Sequence, residues 1–369
     1  MATTAMTGTS NGGASQRDDS MYVAHNLIMK FTVSMALKAA LRLGIPDILS
    51  NAEGKKALSV EEILAQLPTK SSPGSNSVTS NLKRLLCPLV REGVFSESTD
   101  GEGNTVYGLT EVSKWFVKDS QQTMAPITDY QLSTVLLGGP WEQMHEIILD
   151  DTTVPFTKAT GLPFWEYCAT KDPELGALFQ TAMGSYSRIQ NSSIVEDFRQ
   201  CGVLDGVNVL VDVGGCQGAV VAEVVARNPH IQGINFDLPD VIKTAPAVNG
   251  VQHVGGSFFD RVPSGDAMFM KFIIHDHGDE DAIKILHNCF KALPKNGKVV
   301  IAEYARSKQN SAARAFFIET LDLIMLSHLK GGRERTDEEY QGLITAAGFP
   351  RTHLIQNPAS YDLIVGIKE

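Results

Sequence analysis

Hydrophobic positions recur along the chain with two different periods, and the period changes after about residue 200. Over residues 21–42, Leu27, Ile28, Phe31, Met35, Leu37, Ala40 and Leu41 fall at helical spacing, and Gly44 with Pro46 ends the run. Ser59, with Glu62 three residues on, forms a capping box that opens a second helix. A polar loop over residues 69–80 leads to a third helix, which carries Leu82, Leu85, Leu86, Leu89 and Val90 and stops at Gly93. Val94-Phe95 and residues 106–109 flank an Asp100-Gly101 turn and predict a hairpin. Helix, helix, helix, hairpin is the order of a winged helix. Residues 126–199 read as helical and connecting. Their cluster of Trp141, Phe156, Phe164, Trp165, Tyr167, Phe179 and Met183 is core, the wall of an apolar pocket, or both.

From Val207 onward strands and helices alternate. Val209-Leu210-Val211-Asp212-Val213 is a β-branched run of the kind buried on both sheet faces. A glycine-rich turn follows, then a helix over residues 219–227 with Glu223 and Arg227 as an i,i+4 pair, stopped by Asn228-Pro229. Further strands are predicted at residues 234–237, 266–272 and 299–303, with a helix over 279–293 between the last two. Two short terminal strands, near Leu354 and over 363–367, flank Asn357-Pro358 and pair antiparallel. This alternation implies an α/β fold with a doubly wound, Rossmann-like sheet.

Composition narrows the function classes. The 369 residues suit two domains, and 43% hydrophobic with 20% charged residues is ordinary for a globular protein. The net charge of −10 disfavours nucleic acid as the partner. The winged-helix segment carries eleven Lys/Arg and nine Asp/Glu between Ser20 and Lys118, with no dense basic stripe, so packing or dimerisation is its expected role. Five scattered cysteines without a C-x-x-C pair point to a reducing, cytoplasmic setting and no zinc site. No apolar run approaches the roughly 20 residues of a membrane span. Residues 1–20, rich in Thr, Ser, Gly and Ala, read as a disordered tail without the apolar block of a secretory signal.

In a doubly wound sheet the ligand sits at the carboxyl ends of the strands where strand order reverses. Gly214-Gly215-Cys216-Gln217-Gly218 lies at such an end. Asp237 follows at the end of the next strand, where a carboxylate accepts both hydroxyls of a ribose. That logic serves dinucleotides and S-adenosylmethionine alike. The glycine spacing separates them: G-x-G-x-x-G is needed to bring pyrophosphate onto a helix N-terminus, and here Cys216 holds the second glycine position. An NAD-linked oxidoreductase is therefore the weaker reading. A third reading is a non-catalytic regulator with a degenerate ligand site.

Five motifs then occur in order. They are Leu210-Val211-Asp212-Val213-Gly214-Gly215, Asn235-Phe236-Asp237-Leu238-Pro239, Phe269-Met270-Lys271-Phe272-Ile273-Ile274-His275-Asp276, Ala302-Glu303 and Gly331-Gly332-Arg333-Glu334-Arg335-Thr336. Together they resemble the plant-type, metal-independent small-molecule O-methyltransferases of the caffeate and flavonoid group, from about Met21 to the C-terminus. The resemblance implies an N-terminal winged-helix-like dimerisation domain over 21–125 and a methyltransferase domain over 126–369. It implies a homodimer using S-adenosylmethionine, without metal, on a phenolic acceptor. It makes His275 the general base and Glu303 and Glu334 its orienting carboxylates. It places Gly214, Asp237, Lys271 and Ser187 at the cofactor, and Phe179, Met183 and Met325 at the acceptor, with Asp276 retained beside the base.

Histidine suits that chemistry. A phenol near pKa 10 lies about 3.5 units above a histidine near 6.5, a gap of roughly 5 kcal/mol that concerted proton and methyl transfer can cross. The chain departs from the family pattern at three places. Ser257, followed by Phe258, stands where an acidic residue usually meets the adenine amino group, which weakens one expected cofactor contact. His277 stands where many relatives have tryptophan. Leu329-Lys330 replace an Asn-Pro whose asparagine serves a second ring hydroxyl. A strict caffeate preference does not fit these changes. A less polar or differently substituted phenol does, and an N-methyl acceptor is the other chemistry left open.

Overall fold

The computed structural model describes residues 14–357 and 361–369, except 53, 55 and 69–75. The chain divides into two compact units at Thr128/Asp129, three residues past the boundary expected from sequence.

The first unit opens with two helices, Ala14–Met29 and Phe31–Arg42, where one continuous helix was expected. The helix already runs from Ala14, so residues 14–20 are not the tail predicted for 1–20; residues 1–13 lie outside the described residues. Strand β1 (Ala57–Ser59) precedes the helix Val60–Ala65, which Ser59 and Glu62 cap reciprocally as predicted. The helix Asn76–Arg91 starts earlier than expected, inside the segment read as loop. It leads into the hairpin β2 (Phe95–Thr99) and β3 (Thr105–Leu109). The sheet has the order β1-β3-β2, so the wing has a third strand that sequence reasoning took for the lead-in to a helix. Leu58, Ile63, Leu86, Leu89, Phe95 and Tyr107 form its core. Leu27, Ile28 and Phe31, by contrast, leave their side chains exposed along the first two helices.

The second unit begins with short helices and the long helix Pro173–Gln200. Its sheet comprises β4 (Val209–Val213), β5 (Gln232–Asp237), β6 (Val251–Gly255), β7 (Ala267–Lys271), β8 (Lys298–Glu303), β9 (Arg351–Ile355) and β10 (Asp362–Ile367). The strand order is β6-β5-β4-β7-β8-β10-β9. The first five are parallel, and β10 runs antiparallel to both β8 and β9. Alternate residues enter opposite cores, as a period of two demands. Leu210, Phe269, Val300 and Leu363 pack on one face, and Val211, Met268, Ile301 and Ile364 on the other. From β4 the chain steps one way to β5 and β6, then returns to β7 on the other side. The switch point therefore lies between β4 and β7, whose carboxyl ends are where a doubly wound sheet places a ligand. Strand β6 and the helix Ala312–His328 were not read from sequence.

Candidate active site

The residues expected to meet the nucleoside lie at the ends of β4, β5 and β7. Gly214 takes φ +75°, and a Cβ there would lie 2.4 Å from Ile273 Cδ1. A Cβ on Gly215 would meet Asn235 Oδ1 at 2.3 Å. These glycines are thus required first by the protein's own packing, not only by close approach to a ligand. Cys216 adopts φ +52° and donates its N–H to Asp237 Oδ2 at 2.8 Å, while Leu238 N–H reaches Oδ1 at 2.7 Å. Each carboxylate oxygen keeps a lone pair for one further donor. Burial raises the Asp237 pKa, against those two backbone donors.

Lys271, at the end of β7, donates Nζ to Ser187 Oγ at 2.7 Å. Burial pushes its ammonium down to about 8, opposed by the charge on Asp212. Burial pushes Asp212 up to about 7, and its Oδ2 finds no hydrogen-bond partner among the described residues. A ribose with two hydroxyls and an amino-acid tail with both charges fits this donor and acceptor set. Ser257 is differently employed: its Oγ accepts the Phe259 N–H at 3.2 Å and closes a local turn. Phe258 meets the edge of His277 at 5.6 Å between ring centres and approaches the Gly214 Cβ position at 4.0 Å. Burial pushes His277 down to about 4, which keeps it neutral beside the two phenyl rings.

The half of the site expected to carry the base begins with a backbone outlier. Phe272 has φ +55°, a conformation rare for a bulky side chain. It turns the chain so that three successive N–H groups converge on one acceptor. Ile273, Ile274 and His275 donate to Glu303 Oε1 at 3.1, 2.9 and 3.3 Å. Such a concavity of amides holds an anion. The imidazole of His275 is buried, and its Nδ1–H donates to Glu334 Oε1 at 2.6 Å. Glu303 Oε2 stands 3.5 Å from the same nitrogen. In the neutral imidazole this hydrogen bond assigns the tautomer and Nε2 carries the lone pair; the neighbour of Nε2 is Asp276 Oδ1 at 3.4 Å. Burial opposes the charged imidazolium, but Glu303, Glu334 and Asp276 together outweigh it and hold His275 well above its ordinary value. Burial likewise raises Glu303 and Asp276. The Phe272 ring lies over the imidazole at 5.6 Å and 25°.

Residues that sequence reasoning left unassigned hold this loop. Arg335 is fully buried. Its guanidinium donates to the carbonyls of Ile274 (2.9 Å) and His277 (2.7 Å) and to Asp279 Oδ1 (2.8 Å). Arg333 N–H reaches the His275 carbonyl at 2.8 Å, and Glu334 N–H is accepted by Asp322 Oδ1 at 2.7 Å. Gly331 has φ +74°, and a Cβ on it would press on Gly278 Cα at 2.9 Å. The Gly-Gly-Arg-Glu-Arg motif is therefore a clamp laid on the His275 loop. Arg335 stood within that motif, but nothing in the local pattern marks a buried arginine.

The expected acceptor residues occupy two helices. Phe179, Met183 and Ser187 recur every four residues along Pro173–Gln200 and share one stripe. Phe179 meets Tyr130 edge-on at 5.5 Å and Trp165 at 5.1 Å. Met325 is buried near the end of Ala312–His328. No helix among the described residues is long and apolar enough to cross a membrane.

Comparison with known proteins places this geometry. Residues 141–350 match the O-methyltransferase domain family, and residues 25–119 match the O-methyltransferase dimerisation domain. Caffeic acid 3-O-methyltransferase 1 of Ocimum basilicum is 37% identical over 91% of this chain and 92% of its own length. Naringenin 7-O-methyltransferase of Oryza sativa subsp. japonica is 40% identical over 86% of this chain and 85% of its own. Human N-acetylserotonin methyltransferase, solved in complex with SAM, shares the fold at a TM-score of 0.78 and 21% identity, covering 98% of this chain and 99% of that one. With the sheet, the dimerisation unit and the five motifs all accounted for, the chain belongs to the O-methyltransferase family and is an O-methyltransferase.

Proposed function

We propose that the protein transfers a methyl group from S-adenosylmethionine to a phenolic hydroxyl, with His275 as general base. The observation that carries this reading is the imidazole whose Nδ1–H is fixed by Glu334 at 2.6 Å, which leaves Nε2 to accept a proton. Asp237 would take the ribose hydroxyls, Lys271 and Ser187 the methionine end, and Gly214 with Phe258 the purine side. When bound, S-adenosylmethionine supplies a methyl group on a sulfonium sulfur that departs as a neutral thioether. The acceptor hydroxyl donates to His275 Nε2, and Phe179, Met183 and Met325 hold its ring. As the proton arrives, Glu334 and Glu303 face the new imidazolium charge. Their field makes His275 more basic than free histidine and so narrows the gap to a phenol near pKa 10.

The family relatives' named acceptors, caffeic acid and naringenin, support a phenol. Incubation with labelled S-adenosylmethionine and a panel of such phenols should give His275-dependent labelling, and no labelled product from any of them would contradict the reading. Donor atoms of His275, Glu303 and Glu334 lie within 4.8 Å of one another, a spacing that a cation could use. We read the cluster as holding a proton instead, because Nδ1 is engaged at hydrogen-bond length and Glu303 Oε1 already accepts three amides. Chelation with EDTA should leave turnover unchanged. The exposed Leu27, Ile28 and Phe31, within or beside the matched dimerisation domain, support a homodimer. Five unpaired cysteines support a reducing, cytosolic setting.

Two predictions arise here. Asp237→Ala removes a carboxylate acceptor for two hydroxyls; at about 1.5–3 kcal/mol per charge-assisted hydrogen bond, the Kd for S-adenosylhomocysteine should rise by at least tenfold in calorimetry. The second concerns pH. His275 acts when its Nε2 is free of a proton, and the surrounding carboxylates favour the protonated form, so alkaline pH frees the base. The rate kcat/KM should therefore rise with pH through a midpoint above about 6.5. Glu334→Gln removes one of those charges and should move the midpoint downward.

A further inference from the structure

The aromatic cluster beside the proposed acceptor site contains a second buried histidine with an unused nitrogen. His328 ends the helix Ala312–His328, one turn beyond Met325. Its Nδ1–H donates to the Ile324 carbonyl at 2.9 Å, which fixes the tautomer and leaves Nε2 as a lone-pair acceptor. Nε2 is buried and finds no partner among the described residues. Burial pushes the ring down to about 4, so it is neutral at physiological pH. Leaving a buried acceptor unmade costs free energy that a phenyl or leucine side chain would not incur.

The position of the ring says what the nitrogen is for. His328 stacks on Phe156 at 5.6 Å and 29° and meets the edge of Phe164 at 5.8 Å. Phe164 touches Phe179 at 6.2 Å, and Phe179 touches Tyr130 at 5.5 Å. The Tyr130 hydroxyl in turn feels the charge of Asp276, the neighbour of His275. On the other side, a Cβ on Gly332 would lie 2.9 Å from Leu329 Cβ and 3.2 Å from the His275 carbonyl, so Gly332 sits between the residue after His328 and the His275 loop. A chain of aromatic contacts therefore runs from Tyr130 through Phe179 and Phe164 to His328, and Nε2 is a bare acceptor at its far end.

We propose that His328 is a specificity residue that accepts a hydrogen bond from a second hydroxyl of the phenolic acceptor, remote from the one methylated. The inference deepens the proposed function and rests on it. It also reassigns a role: Leu329-Lys330 lack the asparagine that serves a second hydroxyl in the family pattern, and the imidazole one residue earlier takes its place. The acceptor class is thus a rigid aromatic phenol with at least one further O–H donor.

The test compares caffeate and naringenin with analogues in which each non-reacting hydroxyl is replaced by hydrogen. Binding to the holoprotein with S-adenosylhomocysteine is read by calorimetry, and kcat/KM by methyl transfer. For the wild type, deleting one particular hydroxyl should weaken binding and kcat/KM by about 10- to 100-fold. In His328→Leu that ratio should collapse to within about twofold. His328→Gln, whose amide oxygen also accepts, should keep a ratio above tenfold, whereas a merely structural role would leave the ratio the same in all three proteins. An unchanged ratio in His328→Leu overturns the subsite while methyl transfer by the wild type upholds the proposed function. Absence of both binding and transfer with every phenol overturns the proposed function, and the subsite with it.

Discussion

Replacing His275 by glutamine should leave the fold intact and lower kcat by about 10²- to 10⁴-fold, the usual contribution of a positioned general base. The imidazole is buried in a loop whose backbone is tied to Glu303, Arg333 and Arg335 independently of the side chain, so the substitution removes chemistry before it removes structure. S-Adenosylhomocysteine should bind as tightly as to the wild type, because no cofactor contact is assigned to His275. Single-turnover measurement of the methylated product, alongside calorimetry with the demethylated cofactor, separates the two effects.

The second large effect is on stability. Glu303 is fully buried, and its Oε1 is the common acceptor of three amides. Glu303→Leu would strip all three N–H groups of their acceptor and leave the imidazole facing one carboxylate fewer. With an unsatisfied buried donor costing about 1–3 kcal/mol, and a broken buried polar pair 3–5, the variant should lose about 3–5 kcal/mol in urea denaturation. Glu303→Gln keeps an oxygen at the Oε1 position and should lose less than about 1.5 kcal/mol, while still lowering the apparent pKa of His275. Equal stability of Glu303→Leu and wild type would contradict the role given to the amide concavity.

The elements legible in the sequence were those whose burial is simple. Strand β4 reads from its β-branched run because both faces enter a core, and the capping box at Ser59 reads because four residues contain the whole motif. Strand β6 was missed because Val251-Gln252-His253-Val254-Gly255 at the sheet edge is only half-buried and shows no clean alternation. The helix Ala312–His328 was missed because apolar residues surround it without a single polar face. The proposed catalytic group assembles from positions far apart in the chain: Glu334 meets His275 across 59 residues, and only the adjacency of β7 and β8 brings Glu303 beside both. Those three were read through the motif resemblance. Phe272, Arg335 and His328 were not, because their roles depend on a left-handed backbone, a carbonyl cluster and an aromatic cage that no local spacing encodes.

The departures from the family pattern gain physical content in the structure. Ser257 serves its own turn, and neutral His277 sits against Phe258 and Phe259, so the proposed purine side is more apolar than an acidic residue would make it. At the other end, His328 supplies the acceptor that Leu329 cannot.

The dependence of rate on phenol acidity bears most directly on the base. Single-turnover rates are compared for wild type and His275→Gln on ring-fluorinated phenols of similar shape and falling pKa. If the imidazole removes the proton, the variant's deficit shrinks steadily and nearly vanishes for phenols already ionised at the assay pH. A deficit of constant size across the series would show that His275 does something other than take that proton.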